Sequence, residues 1–492
     1  MIFLSISKYS KNIKCMYNST LFRTVLLAFL FVFTPSLKAQ NSNKNLKKQI
    51  DEILYSVPKG TKSAILIIDP NKKDTLYSKN AFTPITPASN TKLFTTSVAL
   101  QLMGPEYKIS TKLYTDDENL TDGVIDGNLY IKGFGDALFT GKDLIILIKN
   151  LDSLGIKKIS GNVIADDTFF DNIYSRDDWI VQEKANVSLP PVSALVLNRN
   201  KFTLILSSRK KNNLRLRYSI SPNYSFVKVN MEARVTRFRA RPRITYHTSD
   251  REFDIRVAGG LRRRRYPRYY AIYPHNPPLF MALALREQLE KNGIKVLGKT
   301  SFGKTPDTAI EISDVFITVE KMISETNKNS DNFLAECLFK ILGAYYSGEQ
   351  GNSFYATQAV ISFIKENGIY NEGNSIVDGS GISRFNKITV ASIVALLKSI
   401  YLNPEIFNDF YNSLSISGVD GTLKERLNNT AAFRKFYGKT GTLNGVSAIS
   451  GYLTTNKNTD LIVSIIMEFN KKGAAFYREI QDRIINLLTI KK

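Results

Sequence analysis

The chain has 492 residues, 43% of them hydrophobic, and a formal charge of +23 at pH 7. That length exceeds one ordinary domain and predicts two or three domains around a sizeable core. Only two cysteines are present, Cys15 and Cys337, so a disulfide scaffold is excluded.

In chain order, the first feature is the apolar run Thr24 to Phe33, preceded by Lys8, Lys11, Lys14 and Arg23 and followed by Pro35 and Leu37-Lys38-Ala39. It predicts a secretory signal over 1–39, cleaved after Ala39, because it is shorter than the roughly 20 residues that span a bilayer. The alternatives are an uncleaved anchor and a start at Met16. Cys15 leaves with the signal, and Cys337 shares a helical face with Phe333, Leu334, Leu338 and Ile341, which predicts a buried thiol.

Leu46 to Tyr55 reads as a helix. Ser63 to Asp69 reads as a buried strand that Pro70-Asn71 turns into a second one around Thr75-Leu76-Tyr77. Pro84 and Pro87 break regular structure just before Ser89, where helical spacing begins and runs to Gly104-Pro105. From Tyr107 to Pro274 short alternating strands and glycine turns predict a strand-rich insertion, two nested domains over 107–274. Inside it Arg237, Arg239, Arg241 and Arg243 alternate, as on one face of a strand, and Arg262 to Arg265 are consecutive. This basic stretch reads first as a solvated face of a surface domain, and where it has a partner an exported chain meets cell-wall polymer or a membrane surface and not nucleic acid. Helical pattern resumes at Leu279 to Glu290, Phe333 to Leu342 and Ala356 to Glu366. Apolar strands follow at Val446 to Leu453 and Leu461 to Met467, and a helix at Ala474 to Leu488 closes the chain.

Three short motifs stand in order: Ser89-Asn90-Thr91-Lys92, Ser330-Asp331-Asn332 and Lys439-Thr440-Gly441-Thr442. Ser-x-x-Lys alone is weak, since it recurs at Ser5, Ser56, Ser207, Ser208 and Ser301. Only Ser89 enters a helix from a proline-broken loop, which sets its hydroxyl one turn from the Lys92 amine. A serine nucleophile needs a base. Here the base is Lys92, whose pKa would have to fall from about 10.4 to near 7 through burial or a second cation such as Lys439. Ser89 is then the nucleophile and Ser330 a relay of the proton to the leaving amine. Asn332 holds a substrate amide, Lys439, Thr440 and Thr442 bind a carboxylate, and the backbone amides of Ser89 and Thr442 form an oxyanion hole.

This ordered set resembles the signature of the penicillin-recognising acyl transferases. The 241 positions from Ser89 to Ser330 resemble the spacing of the D-alanyl-D-alanine carboxypeptidase/endopeptidase family, the class C low-molecular-mass penicillin-binding proteins of peptidase family S13. Further support comes from Lys132-Gly133-Phe134-Gly135-Asp136, Asp378-Gly379-Ser380-Gly381-Ile382-Ser383-Arg384 and Gly418-Val419-Asp420-Gly421-Thr422-Leu423. Phe134 and Ala137 depart from the family's usual glycine and proline.

The resemblance implies an α+β fold: a transpeptidase-like domain of helices on an antiparallel sheet, assembled from 40–106 and 275–492. It also implies a peptidase that uses no metal or other cofactor, trims terminal D-Ala from peptidoglycan stem peptides or opens their crosslinks, and is acylated by β-lactam inhibitors. Substrate side chains would meet Arg384, Asn444 and one of Asp166 and Asp167. The oligomeric state is left open. Rival readings are a β-lactamase, which the long insertion disfavours, and a peptidoglycan-binding protein without turnover, which the complete set of motif residues disfavours. A histidine hydrolase is weaker still, with only His247 and His275 available.

Overall fold

Lys62–Asp69 is a run of aliphatic residues buried on both faces, so it needs a strand on each side. The turn after Asp69 supplies one neighbour, Asp74–Lys79, and the far end of the chain supplies the other, Asp460–Glu468. The resulting antiparallel sheet has six strands, in the order Ser415–Ile416, Phe436–Leu443, Val446–Thr454, Asp460–Glu468, Lys62–Asp69 and Asp74–Lys79. Helices Val390–Tyr401 and Ala474–Lys491 pack on it, and Thr91–Met103 lies deep in the same core, with Thr91 to Leu100 buried all round.

This computed structural model describes residues 44–491 except 73, 121, 181–188, 209–211 and 265. The expected signal and its cleavage site lie outside the described residues. Residues 44–55 are helical, and the chain from Val57 onward forms one compact unit. No helix among the described residues is long and apolar enough to cross a membrane.

The strand-rich segment differs from expectation at its end. A five-stranded sheet runs Thr300–Phe302, Val163–Asp166, Leu129–Gly133, Lys108–Thr115 and Ile310–Thr318. The expected boundary at 274 is therefore too early. Phe280, on helix Pro277–Lys291, stacks against Phe202 with ring centroids 5.4 Å apart, and the edge strand Ile310–Thr318 pairs with Lys108–Thr115. The chain leaves this second core only at Val319, where helix Val319–Lys328 enters the first. The segment is also not all strand. Leu144, Leu147, Ile148 and Leu151 bury one face of helix Gly141–Ser153, capped by Thr140 and Asp143. The two nested domains expected over 107–274 share one hydrophobic core, which joins Leu113 and Ile131 of the five-stranded sheet to Phe202, Leu204, Phe253 and Ile255.

The expected arginine-faced strand is also corrected. Arg234–Thr236 pairs with one edge of strand Phe253–Arg262, and Pro242–Thr248 pairs with the other edge. Residues 237–241 must cross between those edges, so Arg237, Arg239 and Arg241 lie on the crossover and only Arg243 lies on a strand.

The two cores are joined at helix Asn332–Ser347. Gly135 has φ +95° and lies so close to Ile341 that a Cβ would come within 2.7 Å of its side chain. The buried Lys340 ammonium pairs with Asp171 and donates to the Ile173 carbonyl at 2.8 Å. Removing one partner of a buried pair strands the other charge. Lys340→Ala is expected to lower stability by about 3 kcal/mol, the low end for a buried pair because Asp171 keeps some contact with solvent, read as a fall in the thermal midpoint.

Candidate active site

Pro87 ends the preceding loop, and Ala88, at φ 49°, reverses the chain into a short 3-10 turn that runs on into helix Thr91–Met103. The Thr91 hydroxyl donates to the Ala88 carbonyl at 3.0 Å, and Asn90 Nδ2 donates to Ser450 Oγ at 3.0 Å, which ties the turn to the sheet. Ser89 is thereby held half-buried at the helix entrance, and Lys92, one turn on, is wholly buried.

The second motif is a tight connection between two helices. Ser330 takes φ 54°, and Asp331 caps helix Asn332–Ser347 by accepting from the Leu334 amide at 3.1 Å. Asp331 also pairs with Arg199 from the strand-rich segment, so it is a structural member of the motif.

The third motif lies on Phe436–Leu443. Its outer neighbour, Ser415–Ile416, pairs only with Gly438 and Tyr437, so from Lys439 onward that edge carries no strand among the described residues. Gly441 is required by close approach. A Cβ there would sit 3.0 Å from both the Pro87 carbonyl and the Ser89 amide nitrogen.

These pieces converge. Lys92 Nζ lies 3.0 Å from Ser89 Oγ, 2.7 Å from Asn332 Oδ1 and 2.6 Å from the Ser380 carbonyl. Lys439 Nζ donates to Ser330 Oγ at 2.7 Å and to the Thr440 carbonyl at 2.8 Å. Two of the three Lys92 partners are oxygens that only accept. A neutral amine has two N–H groups and one lone pair, so it satisfies both acceptors and turns the lone pair to the Ser89 hydroxyl. That is the arrangement a general base needs.

Burial lowers the Lys92 pKa to about 8, opposed by the negative charges of Asp378, Glu336 and Asp331. Of the two expected means, burial or a second cation, burial is the one at work on Lys92. The repulsion between the two amines falls on Lys439, whose pKa burial and Lys92 together push well down. Lys439 is wholly buried and has no carboxylate partner among the described residues. An incoming carboxylate would give its charged form a partner.

A family model, D-Ala-D-Ala carboxypeptidase 3 (S13), matches residues 46–490. The chain belongs to that family. The resemblance drawn from the three motifs is confirmed, and with it the assignment to the serine-type D-Ala-D-Ala carboxypeptidases. A D-alanyl-D-alanine carboxypeptidase of Actinomadura sp. (strain R39) is 26% identical over 430 residues, covering 83% of this chain and 78% of that one. D-alanyl-D-alanine carboxypeptidase DacB of Haemophilus influenzae is 25% identical over 413 residues, covering 82% and 85%. The crystal structure of penicillin binding protein 4 (dacB) from Haemophilus influenzae has the same fold, with a TM-score of 0.77 at 22% identity over 89% of this chain and 99% of that one. The same protein has been crystallised with a β-lactam.

Within this S13 fold the remaining expected residues divide. The Thr440 hydroxyl donates to Thr422 Oγ1 at 2.7 Å, which anchors the third motif to the Gly421-Thr422 turn, while Thr442 is exposed. Arg384 donates to the main-chain carbonyl of Asn444, and both line a cleft of about 330 Å³ that also includes Thr86. Of the two acids expected as alternatives, Asp166 is turned into the fold. Its side chain has no exposed surface, accepts from the Thr168 and Thr305 amides and lies 3.5 Å from Lys132, so it closes a turn inside the fold. Asp167 is half-buried and accepts from the Tyr174 and Ser193 hydroxyls at 2.8 and 2.9 Å.

Sequence reasoning assigned no role to four contributors. The Ser380 carbonyl holds Lys92, and its own peptide is held by Glu336, which accepts from the Ser380 amide at 2.7 Å. Asp378 accepts from the Gly381 and Ser383 amides, each at 2.8 Å. Burial pushes both carboxyls up in pKa. Arg199 carries no motif signal at all. Glu336 is legible only as a carboxylate on an otherwise apolar helical face.

Proposed function

We propose that this protein is an exported serine carboxypeptidase and endopeptidase that acts on peptidoglycan stem peptides through an ester at Ser89, and that β-lactams acylate the same oxygen. The observation that carries this reading is the pairing of Ser89 with a buried Lys92 whose other two partners only accept hydrogen bonds.

Ser89 Oγ attacks the carbonyl carbon of the penultimate D-Ala as its proton passes to Lys92 Nζ. Charge on the tetrahedral oxygen is met by the backbone amides of Ser89 and Thr442. As the C–N bond breaks, the departing amine takes a proton through Ser330, which Lys439 holds at 2.7 Å. Lys439, with Thr442, binds the terminal carboxylate of the substrate, while Thr440, expected there too, gives its hydroxyl proton to Thr422 and holds the strand in place. Asn332, whose Oδ1 is engaged by Lys92, offers Nδ2 to the substrate amide. Water then attacks the ester, Lys92 again accepting the proton and returning it to Ser89 Oγ as the bond from Oγ to the acyl carbon breaks. Arg384 and Asn444, on one cleft, receive the stem-peptide side chain, with Asp167 as the acidic contributor in place of Asp166. Residues 107–318 limit which peptide reaches Ser89.

Purified protein incubated with fluorescent penicillin is expected to give a stable covalent adduct that Ser89→Ala removes. Labelling that persists in the variant would overturn the assignment. A D-Ala-D-Ala pentapeptide and a crosslinked muropeptide, supplied in parallel, separate terminal trimming from crosslink opening by the product released.

A further inference from the structure

The segment from Arg234 to Arg268 holds twelve arginines, no lysine and three acids, whereas the rest of the chain has twelve arginines and forty-three lysines. Net charge alone does not call for that choice, since lysine supplies most of it in the rest of the chain. Arginine differs in its planar fork of donors, which binds the oxygens of phosphate in pairs. Six of these side chains, Arg239, Arg241, Arg262, Arg263, Arg264 and Arg268, line a single cleft of about 760 Å³ with no acidic residue in its wall. Among the described residues Arg239, Arg241, Arg262, Arg264 and Arg268 form no ion pair with a carboxylate. The walls are built. Arg234–Thr236 is zipped to Gly260–Arg262, the Arg263 amide donates to the Thr236 carbonyl at 3.2 Å, and the Ser208 hydroxyl donates to the Arg264 carbonyl at 2.8 Å.

Like charges held together in a fixed concavity repel one another and draw counter-ions, so an anion with several negative oxygens relieves the cluster. A second feature narrows the ligand. Phe238, Tyr266 and Tyr269 are 77%, 65% and 66% exposed, and each lies within two residues of a lining arginine. Exposed aromatic rings beside cationic side chains suit the headgroup layer of a bilayer, where an apolar ring and a polar edge are both accommodated. A free phosphate has no use for such a rim.

We propose that this cleft and its aromatic rim form a peripheral membrane-docking site that seats the phosphate groups of anionic lipid headgroups. The preference for lipid over nucleic acid, whose bases also stack on aromatic rings, rests on the exported function proposed above.

The test is co-flotation of the full chain with phosphatidylcholine vesicles made with and without cardiolipin. Partition is expected only into the cardiolipin vesicles, and it should weaken as salt rises. Combining Arg239→Gln, Arg262→Gln and Arg264→Gln should reduce partition on the order of a hundredfold, about fivefold per arginine. Phe238→Ser with Tyr269→Ser should weaken it further at a salt concentration that screens charge. Unchanged labelling of Ser89 by fluorescent penicillin shows that the variants are folded and keeps this result separate from the catalytic reading. Equal partition into neutral vesicles, or full partition by the triple arginine variant, would overturn the proposal. So would binding of pyrophosphate or a single-stranded oligonucleotide in the absence of vesicle binding.

Discussion

Lys92→Met is expected to reduce the rate of Ser89 acylation by about 10²- to 10⁴-fold, the contribution typical of a positioned general base, while leaving the fold intact. Methionine fills the buried volume and introduces no charge, but it leaves Asn332 Oδ1 and the Ser380 carbonyl without their donor, so the thermal midpoint of the variant is measured beside labelling to separate that cost from lost proton transfer. The pH dependence gives an independent check. Lys92 accepts a proton only when neutral, and its pKa lies at about 8. Below that value each pH unit removes about nine-tenths of the neutral fraction, so acylation should rise with pH and level off above about 8. The carboxylates oppose the lowering. Removing one charge with Glu336→Gln should shift the rising limb to lower pH. Rates of fluorescent-penicillin labelling across pH measure both effects, and a pH-independent rate in the unmutated enzyme would eliminate Lys92 as the base.

Gly381→Ala should do comparable damage through geometry. Gly381 has φ +81°, where an L side chain is strained, and its Cβ would lie 2.0 Å from the Ala88 carbonyl and 2.8 Å from Thr91 Oγ1. Neither neighbour is the free end of a flexible side chain. The strain and the forced shift together should cost about 2–3 kcal/mol of stability. The same shift moves Ser380, whose carbonyl holds Lys92, against the turn that carries Ser89. Misplacement by about 1 Å is enough to slow acylation roughly a hundredfold. An alanine variant that melts and labels like the parent would show that the contact is looser than these distances imply.

Local chemistry made much of the catalytic lobe readable in advance. Ser89 and Lys92 lie one helical turn apart, so their contact follows from i and i+3 geometry once Pro87 marks the helix entrance. The buried Cys337 and the strand pair at Val446–Thr454 and Asp460–Glu468 were likewise written in apolar periodicity. The errors arose where chemistry depends on neighbours distant in sequence. Helix Pro277–Lys291 looks like any amphipathic helix, and only Phe202 and Phe253, some seventy-five and twenty-five positions upstream, assign it to the strand-rich core. The alternating arginines satisfy the period of a strand, yet a crossover between two edges of one strand claims them first. Asp166 and Asp167 are adjacent and chemically identical, so no local property says which one Thr168 and Thr305 draw inward.

Sequence alone was enough for the S13 family and for singling out Ser89 and Lys92 as the proposed nucleophile and base, because those rest on residue types at short spacing and on the order of three motifs. Only the tertiary structure decided that the motifs meet, and how Lys92 is poised. Its state depends on burial by the whole core and on Asn332 and Ser380, which lie 240 and 288 positions away. A pKa is set by surroundings in three dimensions, and no window of sequence contains them.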